Sequence, residues 1–212
     1  MSTHVSRRRR PQRGPSLRER ILQTARELFY RDGIRAVSVE ALAAAAGTNK
    51  MTLYRHFASK DALVAEYLRG CSAAADALWD HVRAEHPGDP KTQLRMLLKH
   101  VSQFADEFGG RGCPLANAAI ELSQPRHPAR RVIEEHKRAA RERLVALCRA
   151  AGYAHPERLA DEIFLLVEGA RVSLQSVGPE GPGARLYALA ERLLREAPLK
   201  PAKKKARAHL TP

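Results

Sequence analysis

The stretch from Ser38 to Lys60 reads SVEALAAAAGTNKMTLYRHFASK, and it decides the fold of the N-terminal part of the chain. Its first half predicts a short helix with one apolar face, because four apolar residues recur at helical spacing: Val39, Leu42, Ala43 and Ala46. Gly47 ends this helix, since a residue without a Cβ adopts the left-handed conformation at little cost. A second helix carries Leu53 inward and runs to about Phe57. Two short helices joined at a glycine turn predict a helix-turn-helix.

Polar residues at the starts of the helices predict caps. Ser38 caps the first helix of the pair, and either Thr48 or Asn49 caps the second. Upstream, Ser16 begins another helix, and Glu19 follows at the spacing of a capping box. We expect the apolar stripe of this upstream helix to cover the back of the helix-turn-helix: Leu17, Ile21, Ala25, Leu28 and Phe29.

The run GTNKMTLYRHF from Gly47 to Phe57, followed by ASKDAL up to Leu63, resembles the DNA-binding signature of the tetracycline-repressor (TetR) family. The resemblance covers roughly Leu17 to Leu63. It implies an all-α, homodimeric transcriptional regulator, usually a repressor that a small-molecule effector releases from a palindromic operator in double-stranded DNA. It also implies that Tyr54 and Lys60 contact backbone phosphate.

The exposed residues of the second helix are the candidate DNA contacts, because an α-helix fits the major groove and its N-terminal residues face base edges. Asn49 suits adenine, and Lys50 suits guanine, although the alternative for Lys50 and Arg55 is a solvated face. The methyl groups of Met51 and Thr52 suit a thymine methyl. Ser38 suits a phosphate through its backbone N–H. The predicted DNA-binding set is Ser38, Thr48, Asn49, Lys50, Met51, Thr52, Tyr54, Arg55, His56 and Lys60.

The composition favours a polyanionic partner. The 212 residues carry a formal net charge of +14 and a sequence pI near 10.3, which points to nucleic acid before anionic membrane. No apolar run is long enough to span a bilayer, and no apolar segment follows the arginines at 7–10, so we expect a cytoplasmic protein. The cysteines have neither a disulfide framework nor zinc-type spacing: Cys71, Cys113 and Cys148.

The chain divides into four predicted segments. Residues 1–15 form a basic, disordered arm that lies along DNA or is a solvated tail. Residues 16–63 form the helix-turn-helix domain, and residues 64–197 form a helical domain for effector binding and dimerisation. Residues 198–212 form a second basic tail.

Two features of the helical domain carry further expectations. A long helix runs to about Glu85 with the inward stripe Leu63, Tyr67, Cys71, Ala74, Leu78 and Val82. The last two helices, at about 157–177 and 184–196, are too apolar for one-sided packing. The first of them has an inward stripe of Leu159, Ile163, Leu166, Ala170, Leu174 and Val177, with Phe164, Leu165, Val167 and Val172 off it. The resemblance implies a homodimer through these two helices as a four-helix bundle.

Candidate effector contacts rest on weaker patterns. Cys113 precedes the first turn of a helix near Arg111, where cysteines are often reactive, and the alternative is a small buried packing residue. A Gly-Cys element at a comparable place resembles a subgroup of the family in which cysteine-based sensing occurs. The candidate effector pocket is Trp79, Phe104, Phe108, Cys113, Asn117, Glu121 and Phe164, and Tyr153 is a further aromatic candidate. The aromatic members are equally typical of ordinary core.

We therefore predict a sequence-specific, ligand-responsive repressor and not an enzyme. The sequence has no phosphate loop, nucleophile elbow or metal-ligand spacing, so we expect no cofactor and no metal. Two alternatives stay open: a thiol-based regulator that responds to oxidants or electrophiles through Cys113, and a weakly selective DNA-coating protein driven by its basic arms.

Overall fold

The computed structural model of the chain describes residues 14–107 and 111–201. These residues form nine α-helices and one short 3-10 helix, which confirms the all-α prediction. The α-helices are α1 (Leu17–Asp32), α2 (Val39–Ala45), α3 (Lys50–His56), α4 (Lys60–Glu85), α5 (Pro90–Glu107), α6 (Pro114–Glu121), α7 (Pro128–Ala150), α8 (Pro156–Val177) and α9 (Leu186–Glu196), with the 3-10 helix at Pro182–Arg185 between the last two. Residues 1–13 of the predicted arm, which spans 1–15, and residues 202–212 of the predicted tail lie outside the described residues.

The chain separates into two compact units, and the division falls within α4, after Tyr67. We call residues up to Tyr67 the head and residues from Leu68 onward the second unit. The boundary expected from the sequence, at residue 63, lies in the same helix.

Helix α1 begins at a complete capping box. The Ser16 hydroxyl accepts a hydrogen bond from the Glu19 backbone N–H at 3.3 Å, and the Glu19 carboxylate accepts one from the Ser16 N–H at 2.7 Å. The hydrogen bonds that the Glu19 carboxylate accepts from the Ser16 backbone N–H and from the Ser16 hydroxyl lower the pKa of the Glu19 carboxyl. The inner face of α1 buries Ile21, Ala25 and Phe29 completely or nearly so.

The turn between α2 and α3 follows from three local choices. The Ser38 hydroxyl caps α2 by accepting from the Ala41 N–H at 3.0 Å. Gly47 has φ of +68°, the left-handed conformation that favours glycine, and it directs the chain out of α2. The Asn49 side chain then caps α3 by accepting from the Thr52 N–H at 2.9 Å. Of the two caps left open by the sequence, the structure uses Asn49.

Apolar residues from all four helices of the head make up its core. Leu42, Leu53, Phe57 and Phe29 are each at most 3% exposed. The Tyr67 ring lies 5.6 Å from that of Phe29, in a tilted arrangement. Since the buried residues of α3 are on one side, its other side is fixed in position to face outward.

The second unit has its own core. Its fully buried members include Leu94, Leu98, Cys148, Ile163 and Ala190, which come from α5, α7, α8 and α9. Burial raises the pKa of the Cys148 thiol to about 11, so this cysteine is a packing residue rather than a thiolate. Near the end of the chain, Ala154 donates to the Pro198 carbonyl at 2.8 Å and Lys200 donates to that of Gly152 at 2.8 Å.

The predicted burial of two residues of the inward stripes is wrong. Ala74 of α4 is exposed, and Val177 of α8 is 65% exposed. Helical spacing identifies the side of a helix on which a residue lies, but burial needs a second element over that turn. Val177 is the last residue of α8, where the chain turns away at Gly178.

Candidate nucleic-acid interface

Helix α3 presents a mostly polar face that is held in place from behind. Leu53 is fully buried and Phe57, at the end of the helix, is 3% exposed. On the outer side, Met51 is 75% exposed and Tyr54 is 40% exposed. Arg55 and His56 are also exposed, while Thr48 and Thr52 are half-buried. The arrangement is that of a short helix whose outer surface is accessible to a partner.

Asn49 is exposed, but its side chain already has a structural role. Its Oδ1 accepts the hydrogen bond from the Thr52 N–H that caps α3. Bidentate pairing with adenine uses both the oxygen and the NH₂ group of an asparagine side chain. The cap therefore favours a contact with adenine through the NH₂ group over bidentate pairing.

Lys50 forms an ion pair that the sequence did not predict. Its Nζ lies 2.7 Å from Oε1 of Glu40, which belongs to the first turn of α2. The hydrogen bond to Glu40 raises the pKa of Lys50, and the same bond lowers the pKa of Glu40. Ten residues separate the two in sequence, so no i,i+4 pattern within a helix signals the contact.

The two predicted phosphate-binding positions outside α3 have intramolecular partners. Lys60 donates from Nζ to the Ile34 carbonyl at 2.7 Å, and its Nζ lies 6.0 Å from the centre of the Phe29 ring. Ser38 uses its hydroxyl to cap α2. Both contacts anchor backbone of the head. The hydrogen bond of Lys60 could not be predicted from the sequence, because Ile34 and Lys60 are far apart along the chain.

Arg18 on α1 is another cationic residue of the head that makes tertiary contacts. It forms an ion pair with Glu66 at 2.6 Å, and its guanidinium lies 4.9 Å from the centre of the Phe57 ring. These contacts connect the start of α1 to the end of α3 and the first part of α4.

Comparisons with known proteins agree on one family. Residues 21–67 match the family model described as bacterial regulatory proteins, tetR family. A putative TetR transcriptional regulator from Streptomyces avermitilis, of solved structure, is 30% identical and superposes with a TM-score of 0.72, over 88% of this chain and 100% of that one. The chain belongs to the TetR family of transcriptional regulators.

Other TetR relatives extend over different shares of the chain. The transcriptional repressor KstR2 of Mycobacterium tuberculosis is 28% identical over 174 residues, which is 79% of this chain and 84% of KstR2. The regulator AcrR of Shigella flexneri is 33% identical over 94 residues, and that match spans 44% of each protein's length. A TetR-family regulator from Streptomyces coelicolor, 28% identical, has a TM-score of 0.79 over 84% of this chain and 94% of that one.

In this TetR-family chain, the predicted effector contacts lie in the second unit in different surroundings. Trp79 and Phe164 are partly buried against the core. Asn117 donates to the Arg111 carbonyl at 2.7 Å and accepts from Gln175 at 3.0 Å. Glu121 is half-buried. The Phe104 side chain and all of Phe108 lie outside the described residues.

A polar cluster surrounds Cys113, which is 8% exposed and precedes α6. Lys137 of α7 donates from Nζ toward the Cys113 sulfur at 3.8 Å and pairs with Glu168 of α8 at 2.6 Å. Arg171 lies on the other side of Glu168 at 3.1 Å. Lys137 also lies 5.7 Å from the centre of the Phe164 ring. Only Cys113 and Phe164 of this cluster were singled out from the sequence, since the charged residues of α7 have the i,i+3 and i,i+4 spacing typical of a solvated helix.

Of two clefts on the described surface, one is lined by the aromatic candidate Tyr153, and neither is lined by another predicted effector contact. The cleft in the second unit has a volume of about 300 Å³ and lies beside the segment that leaves α7. Its lining includes Tyr153, His155, Arg158, Leu193 and Glu196. The predicted effector pocket therefore stays a prediction.

Helix α8 exposes large apolar side chains that the core does not use. Leu165 is 70% exposed and Val172 is 52% exposed, and they are seven residues apart, on one side of the helix. Ile120 of α6 is 77% exposed. Among the described residues, no helix is both long enough and apolar enough to cross a membrane.

Proposed function

We propose that the chain is a homodimeric repressor that binds a palindromic operator through α3 and that a small-molecule effector releases. The observation that carries the proposal is the outer face of α3, which is exposed and mostly polar while Leu53 and Phe57 anchor the helix from behind. An α-helix mounted in this way fits the major groove of B-DNA. Family membership supports the same function.

The residues of the head have two proposed roles. The first residues of α3 and the preceding turn contact base edges: Thr48, Asn49, Lys50, Met51 and Thr52. Phosphates are contacted by Tyr54, by Lys60 and by the backbone at Ser38, with Arg55 and His56 at the far end of the helix.

Substitutions separate these roles. Tyr54→Ala is expected to weaken binding to all duplexes alike, because phosphate contacts carry no sequence information. Lys50→Ala is expected to relax the preference at one base pair, by about 1–3 kcal/mol. Fluorescence anisotropy with duplexes that differ at single base pairs measures both effects. A base-specific loss from Tyr54→Ala would overturn this assignment.

The proposed dimer pairs α8 and α9 of two copies. Leu165 and Val172 form an apolar side of α8 that the described part of one chain leaves exposed, and such a surface favours a partner of the same kind. Two heads related by a two-fold axis would contact half-sites about 34–36 Å apart. The proposed effector site lies in the second unit, near Cys113, Asn117, Glu121 and the aromatic candidates Trp79, Phe104, Phe108 and Phe164.

The test is anisotropy binding of the full chain to DNA from immediately upstream of its own gene, beside a scrambled duplex, at two salt concentrations. We expect tighter binding to the native duplex at both salts, and a steep overall salt dependence because bound lysines and arginines displace counterions. Equal, salt-labile binding to both duplexes would favour the weakly selective DNA-coating alternative. Repeating the assay without residues 1–15 and 200–212 would then show whether the basic arms supply that affinity.

A second candidate function is thiol-based regulation at Cys113. The observation in its favour is the Lys137 ammonium 3.8 Å from the Cys113 sulfur, because reactive cysteines are often found beside cationic side chains. Hydrogen peroxide would oxidise the thiol to a sulfenic acid and be reduced to one molecule of water, whereas an organic hydroperoxide would be reduced to the alcohol instead. Under this candidate, Cys113→Ser keeps DNA binding but abolishes release by hydrogen peroxide. Release that survives the substitution rules the candidate out.

A further inference from the structure

The ion pair between Glu40 and Lys50 joins the two helices of the helix-turn-helix at their outer surface. Lys50 is the first residue of α3, and Glu40 lies in the first turn of α2. Their side chains are 54% and 63% exposed, so the contact lies at the surface that the proposed function turns toward DNA. An exposed ion pair contributes little to the stability of a fold. The position of this pair, beside the proposed DNA contacts, is therefore more important than its contribution to stability.

We propose that Glu40 is a positioning residue that makes Lys50 selective for guanine. The inference rests on the proposed function, in which α3 binds the major groove. Glu40 itself does not contact a base in this account. It acts through the lysine that it holds.

The hydrogen-bonding capacity of the lysine supports this role. A lysine ammonium has three N–H donors and a long, flexible stem. Glu40 accepts one of these hydrogen bonds at 2.7 Å. The other two match in number the two guanine acceptors in the major groove, O6 and N7. Fixing one donor restricts the rotamers of the stem before DNA arrives, so less conformational freedom is lost when the base contact forms.

The charge of Glu40 supports the role independently. An unpaired ammonium is attracted to phosphates of any sequence, which raises non-specific affinity. A carboxylate next to it offsets that attraction and is itself repelled by phosphate. The mutual pKa shifts, upward for Lys50 and downward for Glu40, favour the ionised forms of both residues. The electrostatic effect of the nearby Tyr54 also raises the pKa of Lys50, to a smaller extent.

The competing explanation is that Glu40 merely stabilises α2 as an acid in its first turn. Two substitutions distinguish the explanations. Glu40→Gln keeps the length of the side chain and removes its charge. Glu40→Asp keeps the acid at the helix end but shortens the side chain by one methylene, which withdraws it from the lysine.

The experiment selects bound duplexes from a random-sequence pool with four full-length proteins: wild type, Glu40→Gln, Glu40→Asp and Lys50→Met. We expect wild type to enrich guanine at one position of each half-site and Lys50→Met to lose that enrichment. Both Glu40 variants should weaken it. In anisotropy assays, Glu40→Gln should lower the ratio of selected to scrambled affinity roughly tenfold, mainly by tightening binding to the scrambled duplex. With Lys50→Met already present, Glu40→Gln should leave the ratio unchanged.

Two outcomes would overturn the inference while leaving the proposed function intact. One is an equal gain of affinity for both duplexes on Glu40→Gln with guanine enrichment preserved, since that is a simple charge effect. The other is full guanine enrichment by Glu40→Asp, since an acid at the helix end would then suffice. A wild-type protein that enriches no sequence would instead contradict the proposed function itself.

Discussion

The head and the second unit offer surfaces of opposite character. The head buries the apolar residues of its core and presents a mostly polar face on α3, where Met51 is the exposed apolar exception. The second unit carries ion pairs on its surface, such as that of Arg141 with Asp161. It also leaves the apolar side chains of Leu165 and Val172 on α8 exposed.

This difference indicates two kinds of partner. A polar, basic face on a short helix suits the charged groove of DNA, whereas an exposed apolar side of a long helix suits a second protein surface. The molecule can therefore be tested at each surface separately, by substitutions that alter one and spare the other.

The largest effect is expected from removing the anchor of α3. Leu53→Ala leaves a cavity in the head and should destabilise it by about 2–5 kcal/mol. Met51→Ala on the same helix is the matched control, and its effect should stay within about 0.5 kcal/mol because the side chain is 75% exposed. Urea unfolding of the full chain, followed by circular dichroism, measures both. Similar losses from the two variants would mean that α3 is not anchored on one side.

The apolar side of α8 is tested by the double substitution Leu165→Glu and Val172→Glu. Two carboxylates from each protomer, four in the proposed dimer interface, should raise the dimer dissociation constant about 100-fold, or roughly 3 kcal/mol. Analytical ultracentrifugation measures the change. Leu199→Ser removes an exposed apolar side chain elsewhere in the second unit and serves as the control. A wild-type monomer, or a dimer indifferent to the double substitution, would contradict the proposed interface.

The turn of the head is tested at Gly47. A Cβ there meets nothing within 4 Å, so space is not limiting and the cost of a side chain comes from φ of +68°. Gly47→Ala should destabilise the head by about 1–2 kcal/mol. Gly47→Asn should be milder, because asparagine tolerates the left-handed conformation. Thermal unfolding ranks the variants, and an asparagine variant as damaging as alanine would exclude this explanation.

The smallest effects are expected at Asn49, where two substitutions separate its role as a helix cap from its role as a base contact. Asn49→Ala should lose about 1 kcal/mol of stability, whereas Asn49→Ser keeps a capping oxygen and should stay close to wild type. If Asn49 also contacts a base, the serine variant should still lose preference at one position of the operator. Unfolding curves and single-base duplex variants measure the two effects on the same proteins. An unstable serine variant would be evidence against the cap.

The local features of the head could be predicted because they depend on residues a few positions apart. The capping box of Ser16 and Glu19, the Ser38 cap and the left-handed Gly47 each follow from side chains that act on their own turn of backbone. The partner of Lys50 could not be predicted in this way, since Glu40 reaches it across the turn from another helix.

The second unit was harder to predict for a related reason. Helical spacing placed Ala74 and Val177 on inward stripes, but burial depends on which neighbouring helix covers each turn. The contact between Lys137 and Cys113 joins α7 to the start of α6, and no local pattern signals it. Tertiary contacts of this kind decide the surroundings of the proposed effector contacts.

Hydroxyl-radical footprinting of the full chain on its upstream DNA tests the central claim most directly. Two heads that each place α3 in a major groove should protect two patches related by a two-fold axis, with centres about 34–36 Å apart, and Lys50→Ala should weaken both patches equally. Uniform protection along the duplex, or a single patch with no symmetry, would contradict a homodimer that binds a palindromic operator through α3.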